Sequence, residues 1–91
     1  MTNIVQLDAK LDLSAASELL TTLKSQDGEE VVLDFEKVTH LGALCLQVLL
    51  AAAKTFSDQG RTLAITNVSD RVSDQLRVMG MTPETVARGQ E

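Results

Sequence analysis

Apolar positions along the chain switch between a period of two and a helical period. Ile4, Val5 and Leu7 mark a β-prone run over 3–7, and Leu7, Leu11 and Leu13 extend the period of two through residue 13. Ser14 suits a helix N-cap, since its hydroxyl can accept from an orphan backbone N–H. Ala16, Leu19, Leu20 and Leu23 then recur at i, i+3, i+4 and i+7, which predicts an amphipathic helix over 15–25, ended by a turn at Asp27-Gly28. The continuous run Val31-Val32-Leu33 predicts a central strand over 30–35, covered on both faces. Residues 36–42 read as a loop, with Gly42 where the chain turns into a second helix over 43–58. Leu46, Leu49, Leu50, Ala53 and Phe56 lie on one face of that helix and are expected in the core. Leu44, Val48 and Ala51 fall on an adjacent face, so the helix is apolar around much of its circumference. Such a helix is either deeply buried or partnered. Gln59-Gly60 closes it in C-cap style.

Leu63 and Ile65 mark a third strand over 62–66. Ser69 caps a third helix reaching Met79, with Val72, Leu76 and Met79 inward and Gly80 at its end. Thr82-Pro83 suits the start of one further helical turn. The last residues, 87–91, read as a frayed tail. The β-α-β-α-β-α order predicts the fold class α/β: a small mixed β-sheet of about four strands with helices packed against it. The expected organisation is a single domain over 1–82 and a short C-terminal turn and tail over 83–91.

Composition narrows the function. Ninety-one residues fit one domain. A net charge of -5 works against binding a phosphate backbone or an anionic membrane surface. With no Trp or Tyr and two Phe, aromatic platforms for base stacking are nearly lacking. Nucleic acid is therefore not an expected partner. A single cysteine, Cys45, rules out an internal disulfide and fits a reducing compartment. The first ten residues lack the basic-then-apolar pattern of a signal peptide, and no apolar stretch is long enough to span a bilayer. The expected location is cytoplasmic, without direct membrane insertion.

Reactive groupings are sparse. His40 is the only histidine, and no partners for a catalytic triad or a metal site accompany it. It reads as a surface loop residue. Cys45 sits near the start of a helix, where a thiolate could be favoured, but its simpler reading is a small packed side chain. Asp12 and Asp34 fall at predicted strand ends, where turn or capping roles suit them. The glycines form no phosphate-cradling cluster. No cofactor or metal is expected, and the chain does not read as an enzyme. A small-molecule site using His40, Cys45 and Asp34 stands as the opposing hypothesis, and it requires a pocket beside them.

Five words of the sequence resemble the STAS domain family, whose members include bacterial anti-sigma factor antagonists. Ala9-Lys10-Leu11-Asp12-Leu13-Ser14 is similar to the family's G-E-L-D-L-x. Val31-Val32-Leu33-Asp34-Phe35 with Val38-Thr39 resembles V-V-L-D-L-S-x-V-T. Val48 to Ala53 matches V-L-L-A-A-A, and Gly60 to Ser69 resembles G-R-x-L-x-L-x-N-V-S. Leu76 to Met81 is similar to L-x-x-x-G-L. Family members that act in phosphorylation switches carry I-D-S-S-G-L between strand and helix. Here the aligned residues are Leu41, Gly42, Ala43, Leu44, Cys45 and Leu46. The aspartate falls on Gly42, and the phosphoacceptor serine falls on Ala43, whose methyl group cannot take a phosphoryl group. Thr39 is the nearest hydroxyl before the helix.

The resemblance implies a non-enzymatic protein-interaction module, not phosphorylatable at the usual site. The partner it implies is an anti-sigma factor or a histidine-kinase-like ATPase domain, in a sigma-factor, chemotaxis or two-component pathway of bacterial signalling and transcription regulation. An alternative is a STAS subunit of a lipid-transport ABC assembly. The expected partner-binding residues are Thr39, His40, Leu41, Gly42, Ala43, Leu44, Gln47 and Val48. A homodimer seam through Leu44 and Val48 is a further expectation.

Overall fold

A computed structural model of the chain describes residues 2–89. Strand β1 (Thr2–Gln6) pairs with β3 (Glu30–Asp34), and β3 pairs with β5 (Thr62–Thr66), giving the order β1-β3-β5. A second ladder joins β2 (Lys10–Leu11) to β4 (His40–Leu41). The helices are α1 (Ala16–Lys24), α2 (Ala43–Asp58), α3 (Asp70–Val78) and α4 (Pro83–Arg88). The fold class is α/β as expected, with five strands. The sheet differs in one respect: every pairing is parallel, whereas the sequence suggests a mixed sheet. The reason is connectivity. Strands β3 and β5 are each reached through a helix, α1 and α2, and a helical crossover returns the chain in the same direction.

The central strand shows why the helices lie where they do. Val31 and Leu33 are fully buried, while Val32 between them is only half-buried. One face of β3 therefore carries the core and the other is partly open, which corrects the expectation of full cover on both faces. Beneath the covered face, α2 supplies Leu46, Leu49, Leu50, Ala53 and Phe56, all buried. Phe35 follows β3, and its N–H donates to the Thr66 carbonyl at 2.9 Å, so the ladder continues by one residue into the core.

The start of α1 departs from the sequence reading. A 3-10 turn over Leu13–Ala15 precedes the helix, and the Ser14 hydroxyl donates to Asp12 Oδ1 at 2.7 Å and caps nothing. Leu20, placed inward by the periodicity, lies at the rim and is exposed, while Ala16, Leu19 and Leu23 are buried. Ser69 does cap α3, accepting from the Val72 N–H.

Residues 83–88, read from sequence as a turn and tail, form α4 within the same body. Thr82 and Thr85 make a capping box, Pro83 opens the helix, and Val86 is buried where α4 packs on α2 and β5. Gly89 closes α4 at φ 71, against the backbone of Leu50 and Lys54. The remainder of the expected tail, 90–91, lies outside the described residues. Among the described residues, no helix is long and apolar enough to cross a membrane.

Candidate interaction surface

The ladder between β2 and β4 decides which motif residues face solvent. Thr39 N–H and His40 N–H donate to the Ala9 carbonyl, and Gly42 N–H donates to Leu11 at 2.8 Å. Strand alternation then sends Lys10 and His40 outward and Leu11 and Leu41 inward. Leu41 is only 3% exposed, so it belongs to the core and not to the partner-binding surface expected of it. The segment read as a loop thus contains a short strand, and that strand turns one of the expected contact residues away.

The other expected residues lie at or near the surface. Thr39 is exposed, with its hydroxyl donating to the Ala9 carbonyl at 3.1 Å. His40 is exposed, and its Nδ1 lies 3.3 Å from Gln75 Nε2; the Gln75 carbonyl oxygen accepts from Leu41 N–H at 2.9 Å. Gly42 is half-buried because β2 crowds it: a Cβ there would sit 3.1 Å from the Leu11 carbonyl oxygen. Ala43 and Gln47 are exposed, Val48 is half-buried, and Leu44 is 46% exposed. The first turn of α2 holds no acidic residue and has no side-chain cap. The helix tip therefore combines an apolar surface with the partial positive charge of uncapped backbone amides.

Two further apolar residues were hidden from sequence reasoning. Leu13 is 76% exposed in the 3-10 turn, and that turn packs on α2. The period of two places it on the buried side of an extended run. The available signal was its position between Asp12 and Ser14, both turn formers. Leu20 joins Ala51, Ala52 and Phe56 in lining a groove of about 320 Å³ between α1 and α2. Leu44, Val48 and Ala51 are spaced so that the apolar stripe on α2 runs toward this groove.

The candidate reactive groups are each engaged elsewhere. Cys45 is buried, and its thiol donates to the Asp12 carbonyl at 3.2 Å. Burial pushes its pKa up, and the nearby Asp12 charge adds to this, so it is a packed thiol and not a helix-tip thiolate. Native protein should therefore react with a thiol-specific disulfide reagent far more slowly than protein unfolded in guanidinium; equal rates would contradict this placement. Asp34 accepts from the Asn67 side chain at 3.1 Å and from the Glu36 N–H at 2.9 Å, which hold its pKa below the usual carboxylate value. Asn67 occupies the left-handed region at φ 58, so this carboxylate secures the turn after β5. Four surface grooves have no lining contribution from His40, Cys45 or Asp34. Among the described residues, no group of three or more His, Cys, Asp or Glu is placed to hold a metal ion.

The lowered pKa of Asp34 fixes a pH dependence. A carboxylate with a folded pKa below 3.8 contributes stability above that value and loses it as pH falls through the folded pKa. Asp34→Asn should therefore be less stable than wild type at neutral pH, and the gap should close below pH 3.8. A gap that stays constant to low pH in chemical denaturation would contradict the role given to Asn67 and Glu36.

Comparison with known proteins agrees with the architecture. A comparison with curated proteins finds no match. The solved structure of a sulfate transporter family protein from Wolinella succinogenes superposes with a TM-score of 0.75 at 20% identity, over 87% of this chain and 66% of that one. The chain thus spans slightly less than two thirds of that protein, and at this identity the likeness is one of fold. A family model described as "Mlab, STAS domain" matches residues 2–85, nearly the whole chain. The chain belongs to the STAS domain family.

Proposed function

We propose that this STAS domain is a non-enzymatic interaction module that docks an ATPase domain through the tip of α2 and is permanently competent to do so. The reading is supported above all by the exposure of Ala43 and Leu44 at the position where relatives with a phosphorylation switch carry serines. A phosphate there would place a dianion on the docking surface and reshape it. Ala43 offers only a methyl group, so the surface stays neutral. Leu44, Val48 and Ala51 would supply apolar contact, and the uncapped amides of the first turn would receive an acceptor from the partner. Regulation would come from the partner or from expression, and the module would act on the cytoplasmic side.

A histidine-kinase-like or anti-sigma partner follows from the resemblance to anti-sigma factor antagonists. A second reading, a STAS subunit of a lipid-transport ABC assembly, is favoured by the description "Mlab" of the matching family model. Both readings place an ATPase domain against the same surface. Affinity capture from native extract, with wild type and Leu44→Asp side by side, tests them. The expected result is an ATPase-domain protein enriched by wild type and lost with the variant. A kinase or anti-sigma protein selects the first reading and an ABC ATPase the second; identical captures by both baits would contradict the docking surface.

A further inference from the structure

The outer edge of β1 lies apart from the α2 tip and is an outer edge of the main sheet. In the order β1-β3-β5 both outer strands have a free edge, but α4 packs beside β5, while β1 pairs only with β3 among the described residues. The phase of the ladder shows which backbone groups are free. Leu7 N–H donates to Asp34 across the β1–β3 ladder. Backbone direction alternates along a strand, so Asn3 and Val5 also face β3, and Thr2, Ile4 and Gln6 direct their N–H and C=O outward. Exposed strand edges are normally blunted by a charge, a proline, a bulge or a covering element. The segment TNIVQ contains neither charge nor proline. At its centre Ile4 is 71% exposed.

We propose that a second copy of this chain covers this edge, by antiparallel pairing of β1 with β1 about a two-fold axis at Ile4. The strand is self-complementary in that arrangement. Ile4 opposes Ile4 of the partner subunit, and Thr2 opposes Gln6 of the partner subunit, so every outward N–H and C=O meets its counterpart and no charge meets charge. The register also aligns Ile4 with Val32 and Ala64 on the open face of the sheet. Pairing joins the two rows into one apolar stripe of six side chains across a six-stranded sheet. The contact is a single strand per copy, so the dimer is weak and forms with rising concentration.

Sedimentation equilibrium over a concentration series tests this, with Ile4→Lys and Gln6→Pro beside wild type. Gln6→Pro removes an outward N–H while sparing the bonds to β3, and Ile4→Lys places like charges opposite each other. Wild type should shift from 9.8 kDa toward twice that mass. Both variants should keep the wild-type circular dichroism spectrum and dimerise at least ~10-fold more weakly. Hydrogen exchange provides a second readout: the Ile4 and Gln6 amides should gain protection with concentration, and those of Asn3 and Val5 should not change. Wild type that remains monomeric would overturn the proposal. So would a dimer that survives both strand variants, or one lost only with Leu44→Asp, which would place the seam on α2.

Discussion

Leu44→Asp should weaken binding to the captured ATPase domain by ~30-fold or more, the equivalent of ~2 kcal/mol for a central contact. The same substitution should leave the fold intact or slightly firmer. Leu44 is half-exposed in the monomer, so its removal opens no cavity in the core. An acidic side chain in the first turn of α2, which has none, interacts favourably with the helix dipole by ~0.3–1 kcal/mol. Binding and stability therefore move in opposite directions. Isothermal titration against the partner and urea denaturation of the free domain separate the two. A loss of affinity accompanied by a comparable loss of stability would mean that Leu44 holds the fold and does not serve as a contact.

Phe35→Ala should cost ~3–5 kcal/mol of folding stability, the range for deleting a buried aromatic ring. Phe35 is among the largest fully buried side chains. It stands where the main sheet passes into the segment leading to β4, with its N–H bonded to Thr66. The chain has one other aromatic residue, Phe56, whose ring lies under the Arg61 guanidinium 4.0 Å from its centroid. No other ring is available to fill the space left by Phe35. For a domain of this size the loss is a large fraction of the total, since small domains have ~5–15 kcal/mol in all. The midpoint of urea unfolding should fall steeply with little change in slope. A shift below ~1 kcal/mol would place Phe35 outside the core that aligns β4 with α2.

Elements with a long, regular hydrophobic pattern were readable before the fold was known. The helix expected over 43–58 is α2, because Leu46, Leu49, Leu50, Ala53 and Phe56 repeat along one face for about three turns. Strand β5 and helix α3 are similarly marked, α3 by the Ser69 cap. What escaped the sequence depends on contacts distant along the chain. Two-residue strands carry no periodicity, so β4 exists only because Lys10–Leu11 lies beside it. The inward turn of Leu41 follows from that pairing. Helix α4 shows its Thr82-Pro83 start in the sequence, but the burial of Val86 requires the surfaces of α2 and β5.

The proposed interaction surface was partly legible for the same reason. Leu44, Val48 and Ala51 stand out because a helix with a complete core face carries a second apolar stripe. Leu13 did not, since an alternating pattern through Leu7 and Leu11 conceals the 3-10 turn that lifts it from the core. The resemblance to the family motif implies that Ala43 stands where switch members carry the phosphoacceptor serine. What the fold adds is the setting of that methyl group: exposed, at an uncapped helix tip, beside a half-exposed leucine.

The central claim is that docking needs no covalent switch. The direct measurement is the affinity of the wild-type domain for its captured ATPase partner, before and after incubation with that partner and Mg-ATP, with intact mass recorded on the same samples. Unchanged affinity and unchanged mass are the predicted result. A phosphorylated domain, on Thr39, Ser14 or any other hydroxyl, whose affinity for the partner has collapsed would contradict it.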